Sequence, residues 1–477
     1  MEFHQFYLGC LAHASYLIGS EGQAAIVDPQ RDVDQYVEEA AARGLVITAI
    51  IETHLHADFV SGHSELAERT GAPIYVGRRA DATFEHVAVH DGMEVRLGAL
   101  TLKFLETPGH TPEGISVLVV DPDAPAKLLS GDTLFIGDVG RPDLVGAKGY
   151  TADQMAGMMY DTLREKILPL PDEVEVYPAH GAGSACGRFM ANERSSTLGE
   201  QRRRNWALQP MSRAEFVARL TSGLSRPPAY FAHDAEMNRR GAEDLSELAS
   251  ARPLSVDEVR ERQRGGALVL DVRTAESYGR GHVPGAINIG LAGAFAPWAG
   301  TLVTIGTPLV LVGHDAAQVR EARIRLARIG HDSVVGHLEG GMDAWIAARQ
   351  PIATLPQMSV QELRALLDGG RPPQLVDVRR LGEHEAGHVP GARHIPLDEL
   401  STRVDELDPH RPTFVICGSG YRSSAACGLL ARHGIVALAN IAGGHTAWQE
   451  AGLPLEARTR SVPETPMHSR TVSRAAT

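Results

Sequence analysis

The C-terminal part of the chain contains one sequence pattern written twice. DVRTAESYGRGHVPGAINI, which starts at Asp271, recurs as DVRRLGEHEAGHVPGARHI from Asp377, and LEGGMDAW near Gly340 recurs as IAGGHTAW near Gly443. In each copy, short apolar runs such as ALVLDVR and PQLVDVR alternate with helical patterns such as SVDEVRER and SVQELRALL. This alternation predicts two successive domains, each with a parallel sheet and crossover helices.

The rest of the sequence organisation predicts three folded domains of the α/β class. A chain of 477 residues holds about three compact units at roughly 100 to 200 residues each. We place them at residues 1–250, 254–352 and 356–457. Within the first, RRRNWALQPMSRAEFVARLTSGLSRPPAYF indicates a closing helical segment followed by a linker. The tail 458–477 is rich in Pro, Ser and Thr, and we expect it to be disordered.

Charge and hydropathy argue against several partners and locations. A net charge of -13 repels nucleic-acid phosphates and anionic lipid, so we expect neither nucleic acid nor membrane as a partner. No apolar run approaches the roughly 20 residues of a membrane span, and the opening MEFHQFYLGCLAHASYLIGS lacks a basic segment before an apolar one. We therefore expect a cytoplasmic protein. A disulfide framework or a CxxC zinc site is not expected from its four cysteines, Cys10, Cys186, Cys417 and Cys427.

A metal-ligand pattern follows the apolar strand TAII in the first domain. His54, His56 and Asp58 crowd the loop after this strand, and imidazole and carboxylate groups are ligands for zinc or iron. Alone, the HxHxD string also fits a surface loop that happens to hold histidines.

Three more candidate ligands stand at the ends of other strand-like runs. His110 lies in ETPGHT, Asp132 in LLSGDT and His180 in VYPAHG. In layered α/β folds the sheet fixes the backbone, and the loops at strand ends carry the site. The repeated placement of ligand residues at strand ends therefore favours a metal site over a chance cluster.

The order and spacing of these motifs resemble the metallo-β-lactamase superfamily over roughly residues 1–245. The resemblance implies an αββα sandwich that gathers these residues at one edge, followed here by two further α/β domains. Dinuclear zinc hydrolases of that superfamily usually carry HxHxDH, whereas this chain has Phe59 in the last position. This departure separates a thioester hydrolase of the glyoxalase II type from the persulfide dioxygenases, which this chain resembles.

By that resemblance, His54, His110 and Asp132 are the ligands of one mononuclear non-haem iron(II) ion, with zinc as the alternative. Two histidines and one carboxylate leave about three positions open for O₂, substrate and water. The other three candidates would orient the ligands, bind substrate or act as alternative metal ligands: His56, Asp58 and His180. The alternative for each is a remnant of a zinc site or a hydrogen-bonded structural residue.

Two further stretches offer contacts for a substrate anion. DVGRPDL holds Arg141, and HGAGSACGR holds Cys186 and Arg188. A persulfide is anionic at its sulfur, so a guanidinium nearby is a reasonable partner. A surface salt bridge is the alternative for Arg141, and a small buried residue is the alternative for Cys186.

The second copy of the repeat carries a reactive-cysteine loop. TFVICGSGYRSSAACGLLARHG predicts a strand, a loop from Cys417 to Arg422, and a helix that opens at the serines. Such loops turn backbone N–H groups toward the first side chain, and that field lowers the pKa of a thiol. With its GHVPGA and GG-x-x-AW motifs, this copy resembles the rhodanese family over residues 356–455. The resemblance implies a catalytic Cys417 with Arg422 as an anion contact; an inert buried Cys417 is the alternative.

The first copy lacks both of these residues. An ungapped alignment of the two copies puts Gly313 opposite Cys417 and Gln318 opposite Arg422. His314 and Asp315 remain in the loop, but imidazole and carboxylate do not form stable persulfides. We interpret this copy as structural or docking.

Together, the two resemblances imply an enzyme that oxidises a low-molecular-weight thiol persulfide with O₂ to sulfite, coupled to sulfur transfer that makes or uses thiosulfate. Two other hypotheses stay open. One is a dinuclear-zinc thioester hydrolase with accessory sulfur transfer, and the other is a non-catalytic sulfur-sensing scaffold. Neither the carrier thiol nor the direction of sulfur flux follows from the sequence, and a homo-oligomer is possible.

Overall fold

A computed structural model describes residues 1–146, 149–224, 226–246, 248, 251–369 and 372–457. The expected disorder of the tail 458–477 lies outside the described residues. The chain forms two compact units, Met1–Ala353 and a second that begins at Thr354. Among the described residues we find no helix with the length and apolarity that a membrane span requires.

Two six-stranded sheets form the first part of the Met1–Ala353 unit, and each keeps the order of the chain. The first sheet consists of β1 (Glu2–Leu8), β2 (His13–Ser20), β3 (Gln23–Val27), β4 (Val46–Glu52), β5 (Ile74–Gly77) and β6 (Val87–Val89). The second consists of β7 (Glu94–Leu97), β8 (Leu100–Glu106), β9 (Ile115–Asp121), β10 (Ala124–Gly131), β11 (Glu175–Pro178) and β12 (Ser196–Thr197).

Helices cover the outer faces of both sheets. They are α1 (Asp34–Ala42), α2 (His63–Thr70), α3 (Ala152–Thr162), α4 (Leu198–Arg204), α5 (Arg213–Thr221) and α6 (Phe231–Arg240). A π-helical turn, Leu163–Ile167, continues α3, and a 3-10 turn, Trp206–Leu208, follows α4.

Alternating side chains along the strands create the αββα layers. In β2, Tyr16 packs between the sheets in one cluster with Phe104 of β8, whereas its neighbour Leu17 packs in another with Tyr36 of α1. A third cluster joins the second sheet to its own helices, including Met159 of α3. Successive residues of a strand point to opposite faces, so strands buried on both sides read as continuous apolar runs. The predicted sandwich is confirmed.

The structure differs from the sequence interpretation between Phe231 and Arg240. We expected a linker after Phe231, but these residues form α6, whose buried positions are Phe231, Asp234 and Asn238. Two of these three side chains are polar, so the helix shows no apolar periodicity.

The first rhodanese-like copy completes the Met1–Ala353 unit as a five-stranded parallel sheet in the order β13-β17-β16-β14-β15. Its elements are β13 (Pro253–Leu254), α7 (Val256–Arg264), β14 (Leu268–Asp271), α8 (Ala275–Arg280), β15 (Ile287–Asn288), α9 (Phe295–Leu302), β16 (Leu309–Val312), α10 (Ala316–Ala327), β17 (Val334–Leu338) and α11 (Gly341–Ala347).

The second copy has a sheet with the same connectivity, β18-β22-β21-β19-β20, and its strands are also parallel. Its elements are β18 (Gln357–Met358), α12 (Val360–Leu367), β19 (Gln374–Asp377), α13 (Leu381–Ala386), β20 (Arg393–His394), β21 (Thr413–Ile416), α14 (Tyr421–Arg432), β22 (Leu438–Ile441) and α15 (Gly444–Glu450).

The two copies also begin their first helix in the same way. Ser255 caps α7 in a reciprocal capping box with Glu258, and Ser359 caps α12 with Glu362. The S-x-x-E signature satisfies two backbone donors at a helix start, and it is visible in the sequence of both copies. The predicted repeat of one α/β domain is therefore confirmed.

Candidate metal and sulfur-transfer sites

The predicted metal residues meet at one edge of the sandwich because each follows the end of a strand. His54 comes two residues after β4, Asp132 directly after β10, and His180 two residues after β11, while His110 lies in the turn between β8 and β9. All four side chains are buried, with relative exposures of 4% or less.

His54, His110 and Asp132 present donor atoms that all lie within 4.8 Å of one another. The Nε2 atoms of His54 and His110 lie 3.8 Å and 3.3 Å from Oδ2 of Asp132. The second nitrogen of each ring is within hydrogen-bond distance of a fixed oxygen. Nδ1 of His54 is 3.0 Å from Thr53 Oγ1, and Nδ1 of His110 is 2.8 Å from the carbonyl oxygen of Arg141. Both imidazoles therefore aim Nε2 at the same point.

This arrangement fits a metal ion. Nε2 of His54 and both carboxylate oxygens of Asp132 are buried without a hydrogen-bond partner among the described residues. Such groups are costly to bury unless something binds them. Burial also lowers the pKa of His54 well below its usual value, and the neighbouring His56 adds to this effect, so the imidazole is in the neutral form that binds metals. The donor set suits iron and zinc alike.

A second group of donors adjoins the first. Nε2 of His180 lies 3.4 Å from Oδ2 of Asp58 and 3.7 Å from Oδ1 of Asp132. Donor atoms of His56, Asp58 and His180 lie within 4.8 Å of one another, as do those of Asp132, His180 and Cys186. The structure thus brings the predicted accessory residues together with Cys186 beside the three-residue centre.

His56 is also engaged on its outer side. Its Nε2 lies 3.1 Å from Oδ1 of Asp28 and 3.5 Å from Oε2 of Glu52. Burial alone would lower the pKa of His56, but the Asp28 carboxylate raises it to about 9. An ion pair with buried carboxylates therefore anchors this ring, and the predicted role of His56 in orienting ligands, binding substrate or binding a metal stays a prediction.

Phe59 and His13 complete the wall of the site. The Phe59 ring is 1% exposed and lies 4.1 Å from the ring of His13 and 4.4 Å from that of His56, centroid to centroid. His13, at the start of β2, forms a β-bridge with His180, and burial lowers its pKa well below the usual value. Sequence reasoning missed His13, because a single histidine in CLAHAS belongs to no motif.

The three predicted substrate residues have different surroundings. Arg141 is 4% exposed and donates two hydrogen bonds, of 2.6 Å and 2.7 Å, to Asp143. The main chain of Arg141 bonds in two directions: its N–H donates to the Cys186 carbonyl at 3.0 Å, and its carbonyl lies 2.8 Å from Nδ1 of His110. The guanidinium is thus in a buried ion pair, and the main chain of Arg141 links His110 to Cys186.

Cys186 is buried, and the Arg188 guanidinium is hydrogen-bonded to backbone carbonyls. Burial raises the pKa of Cys186 well above its usual value, and the carboxylates of Asp58 and Asp132 add to this rise. The Arg188 guanidinium donates to the carbonyls of Ser222 and Arg219. In this structure Cys186 faces the metal ligands, whereas the Arg188 guanidinium contacts the chain around α5.

In the second copy, the loop after β21 wraps around Cys417, which is fully buried. The Gly420 N–H donates to Sγ at 3.1 Å, and Ser423 Oγ lies 3.3 Å from Sγ. Gly420 has φ +94°, a left-handed conformation that residues with a side chain rarely adopt, and α14 begins directly after it. One backbone donor of the predicted kind, the Gly420 N–H, therefore faces the sulfur, together with the Ser423 hydroxyl.

Arg422 is paired inside the domain. Its guanidinium donates two hydrogen bonds of 2.7 Å to the carboxylate of Glu383 on α13. Glu383 stands where the first copy has Ser277, so the carboxylate and the arginine are absent together from the first copy. The sequence analysis did not predict Glu383 as the partner of Arg422. An anion that bound Arg422 would have to compete with the Glu383 carboxylate.

The loop of the first copy is built differently. Asp315 caps α10 by accepting the Gln318 N–H at 2.8 Å, and the Gln318 side chain accepts the His314 N–H at 2.9 Å. The side chains of the loop therefore take up its own backbone donors, and Gly313 stands in the position of Cys417.

Comparisons with known proteins agree with this architecture. A model of the metallo-β-lactamase superfamily matches residues 8–180, and a model of the rhodanese-like domain matches residues 255–348 and 359–451. The probable metallo-hydrolase YqgX of Bacillus subtilis is 30% identical over 205 residues, which cover 38% of this chain and 90% of YqgX. A hydroxyacylglutathione hydrolase of Francisella tularensis subsp. novicida is 31% identical over 182 residues, which cover 38% of this chain and 68% of the relative.

Among solved structures, a metallo-β-lactamase from Staphylococcus aureus matches with a TM-score of 0.63 and 35% identity. The match covers 98% of that protein and 70% of this chain. The matched 70% of this chain is a longer stretch than its first 250 residues. The metallo-β-lactamase superfamily and the rhodanese family both indicate an enzyme. The chain therefore belongs to the metallo-β-lactamase superfamily and carries two rhodanese-like domains after its metallo-β-lactamase domain.

Proposed function

We propose that the chain is a persulfide dioxygenase with a sulfurtransferase domain. Its first reaction is RSSH + O₂ + H₂O → RSH + SO₃²⁻ + 2 H⁺, in which the terminal sulfur is oxidised and O₂ is reduced. The observation that carries the proposal is the buried group His54, His110 and Asp132, together with Phe59 in place of the histidine that a dinuclear zinc site usually holds.

His54, His110 and Asp132 would hold one iron(II) ion, which would supply the redox chemistry that O₂ requires and leave coordination positions open. The chain's own residues do the rest. Thr53 Oγ1 and the Arg141 carbonyl fix the two imidazoles. Phe59 is buried against the rings of His13 and His56 and excludes water from that side. Cys186, with its raised pKa, presents a neutral thiol toward the site at ordinary pH.

The second reaction belongs to Cys417. The thiolate attacks the outer sulfur of a persulfide, the S–S bond of the donor breaks, and the donor thiol leaves: Cys-S⁻ + RSSH → Cys-SS⁻ + RSH. Sulfite then takes the outer sulfur and releases the thiolate: Cys-SS⁻ + SO₃²⁻ → Cys-S⁻ + S₂O₃²⁻. The Gly420 N–H, 3.1 Å from Sγ, would stabilise the sulfur anion in both steps. Sulfite is the product of the first reaction and a substrate of the second.

The test combines metal analysis with oxygen uptake. We expect about one iron per chain and O₂ consumption with glutathione persulfide or coenzyme A persulfide. His110→Ala should abolish O₂ uptake but leave sulfur transfer from thiosulfate to cyanide intact, because that reaction needs only the Cys417 loop. His90→Ala is the matched control, since His90 is an exposed histidine of the same domain. Loss of both activities in a folded His110→Ala protein would refute the modular assignment.

A thioester hydrolase remains the second candidate because Asp58, His180 and Cys186 gather beside the first ligand group. The hydroxyacylglutathione hydrolase relative points in the same direction. Two zinc ions per chain with thioesterase activity, and no O₂ uptake, would establish that function instead.

A further inference from the structure

The loop that holds the first metal ligands is fixed by residues far away in the chain. We call residues 53–61 the metal loop, since it carries His54, His56 and Asp58. At its far end, the Val60 N–H donates to the carbonyl of Arg328 at 2.7 Å. Arg328 is the residue at the C-terminal end of α10, so a main-chain group of the first rhodanese-like copy contacts the metal loop directly.

Two ion pairs hold this end of α10 in place. Arg328 donates two hydrogen bonds of 2.7 Å to the carboxylate of Asp32. Arg31 donates to Asp332 at 2.6 Å and 2.9 Å and to the Ala327 carbonyl at 2.7 Å, and its side chain is only 2% exposed. Paired guanidinium and carboxylate groups with two hydrogen bonds each have a defined geometry, and partial burial reduces their screening.

The loop after β3 connects these ion pairs to the metal loop. At one end of this loop, Asp28 accepts the Thr53 N–H at 2.7 Å and pairs with His56 at 3.1 Å. At the other end, Arg31 and Asp32 bind the first rhodanese-like copy. Five consecutive residues, 28–32, thus contact both the metal loop and α10.

Helix α6 holds the metal loop from a further side. The Asn238 side-chain amide donates to the carbonyls of His56 and Phe59 at 2.8 Å each, and its oxygen accepts the Ser61 N–H at 2.8 Å. The same helix contacts the first rhodanese-like copy, since a Cβ on Gly330 would lie 2.5 Å from an oxygen of Asp234.

We infer that the first rhodanese-like copy positions the metal centre: the Arg328 carbonyl fixes Val60 of the metal loop, and the ion pairs on either side of it hold that carbonyl in place. The copy that has no catalytic cysteine thereby supports the metal loop through the main chain of Val60. The inference rests on one part of the proposed function, the assignment of His54, His110 and Asp132 as metal ligands. It assigns positioning roles to Asn238, Asp32 and Arg328.

Asp32→Asn tests the inference, with Asp34→Asn as its matched control. Asp34 lies two residues away and forms an exposed ion pair with Arg69, which has no part in the contact with α10. Cobalt(II) affinity, measured by competition with a chelator, reports on the metal site, and hydrogen exchange of the metal-free protein reports on the Val60 and Ser61 amides. Residues that orient metal ligands typically change metal affinity about 10- to 100-fold. We expect about 10-fold weaker cobalt binding and faster exchange for Asp32→Asn, and neither for Asp34→Asn.

A charge swap separates positioning from a general loss of stability. Asp32→Arg and Arg328→Asp should each weaken cobalt binding and change its visible absorption spectrum, and the double variant should restore both. Asn238→Ala, which breaks three hydrogen bonds to the loop, should weaken cobalt binding about 10- to 100-fold.

Unchanged cobalt affinity and unchanged exchange in Asp32→Asn would overturn the inference, even if the charge-reversed variants fail to fold. A protein that binds two zinc ions and hydrolyses thioesters would overturn the proposed function instead. Cobalt affinity and hydrogen exchange could still be measured on that protein, so a failure of the inference is distinguishable from a failure of the proposed function.

Discussion

Phe59 determines how many donors the site offers. Its ring packs between His13 and His56 where the HxHxDH pattern of dinuclear hydrolases has a histidine. A phenyl ring supplies no ligand atom, so Asp58 and His180 lack the nitrogen that usually joins them. Under the proposed function, this one position separates a single-ion site from a two-ion site, and most of the second donor set is still in place.

Phe59→His should give the protein a second metal ion. The imidazole is smaller than the phenyl ring, and it would add a nitrogen donor beside Asp58. We expect the zinc content after dialysis to rise from about one toward two ions per chain. Phe59→Leu, which removes the ring without adding a donor, should stay near one. The expectation is wrong if the native protein already holds two zinc ions, or if both variants bind the same amount.

At the scale of elements, the loops after β16 and β21 differ although the two domains share one fold. The two strands occupy equivalent central positions in two separate sheets of the same connectivity. In the second copy Gly420 takes a left-handed conformation and turns its N–H toward Cys417. In the first copy the Asp315 carboxylate accepts the Gln318 N–H and brings a negative charge into the loop.

Gly313→Cys should therefore not restore sulfur transfer to the first copy. We would place it in a Cys417→Ser background, so that only the new thiol could carry sulfur between thiosulfate and cyanide. A Cβ on Gly313 would lie 3.3 Å from atoms of Gln318 and Val319, a tight contact to which these side chains must adjust slightly. The backbone N–H groups of His314 and Gln318 are bonded to side chains of the loop and are not free to face the new thiol. The rate should stay at the level of the Cys417→Ser parent. Transfer within about tenfold of the native rate would show that the cysteine alone is sufficient.

The sequence predicted the elements whose pattern is local. Strand-end motifs identified His54, His110 and Asp132, and the repeat identified both rhodanese-like sheets. It did not predict Asn238, because this residue reaches the metal loop from 182 positions away and lies on a helix whose buried face is mostly polar. Nor did it predict Glu383 as the partner of Arg422, since a single glutamate on an amphipathic helix resembles a solvated surface residue.

At the scale of the whole molecule, the two chemistries belong to different compact units. The metal ligands and the first rhodanese-like copy lie in Met1–Ala353, and Cys417 lies in the unit that begins at Thr354. The ion pairs of Arg31 and Arg328, and the Val60 N–H that donates to the Arg328 carbonyl, hold the first copy against the metallo-β-lactamase domain. They also give a copy without a catalytic cysteine a physical reason to be retained.

Replacing Cys417 should therefore change the products of the enzyme rather than stop it. With a persulfide substrate, Cys417→Ser should keep O₂ uptake near the native rate, because no metal ligand is touched. It should release sulfite where the native protein makes thiosulfate, since a serine hydroxyl is not ionised by the Gly420 N–H and cannot store a sulfane sulfur. Chromatography of trapped sulfur species gives the thiosulfate-to-sulfite ratio. Cys427→Ser is the control, because burial raises the pKa of that thiol and keeps it protonated. If the ratio is unchanged in Cys417→Ser, above the non-enzymatic background, the sulfur does not pass through Cys417, and Cys186 beside the metal ligands becomes the residue to replace next.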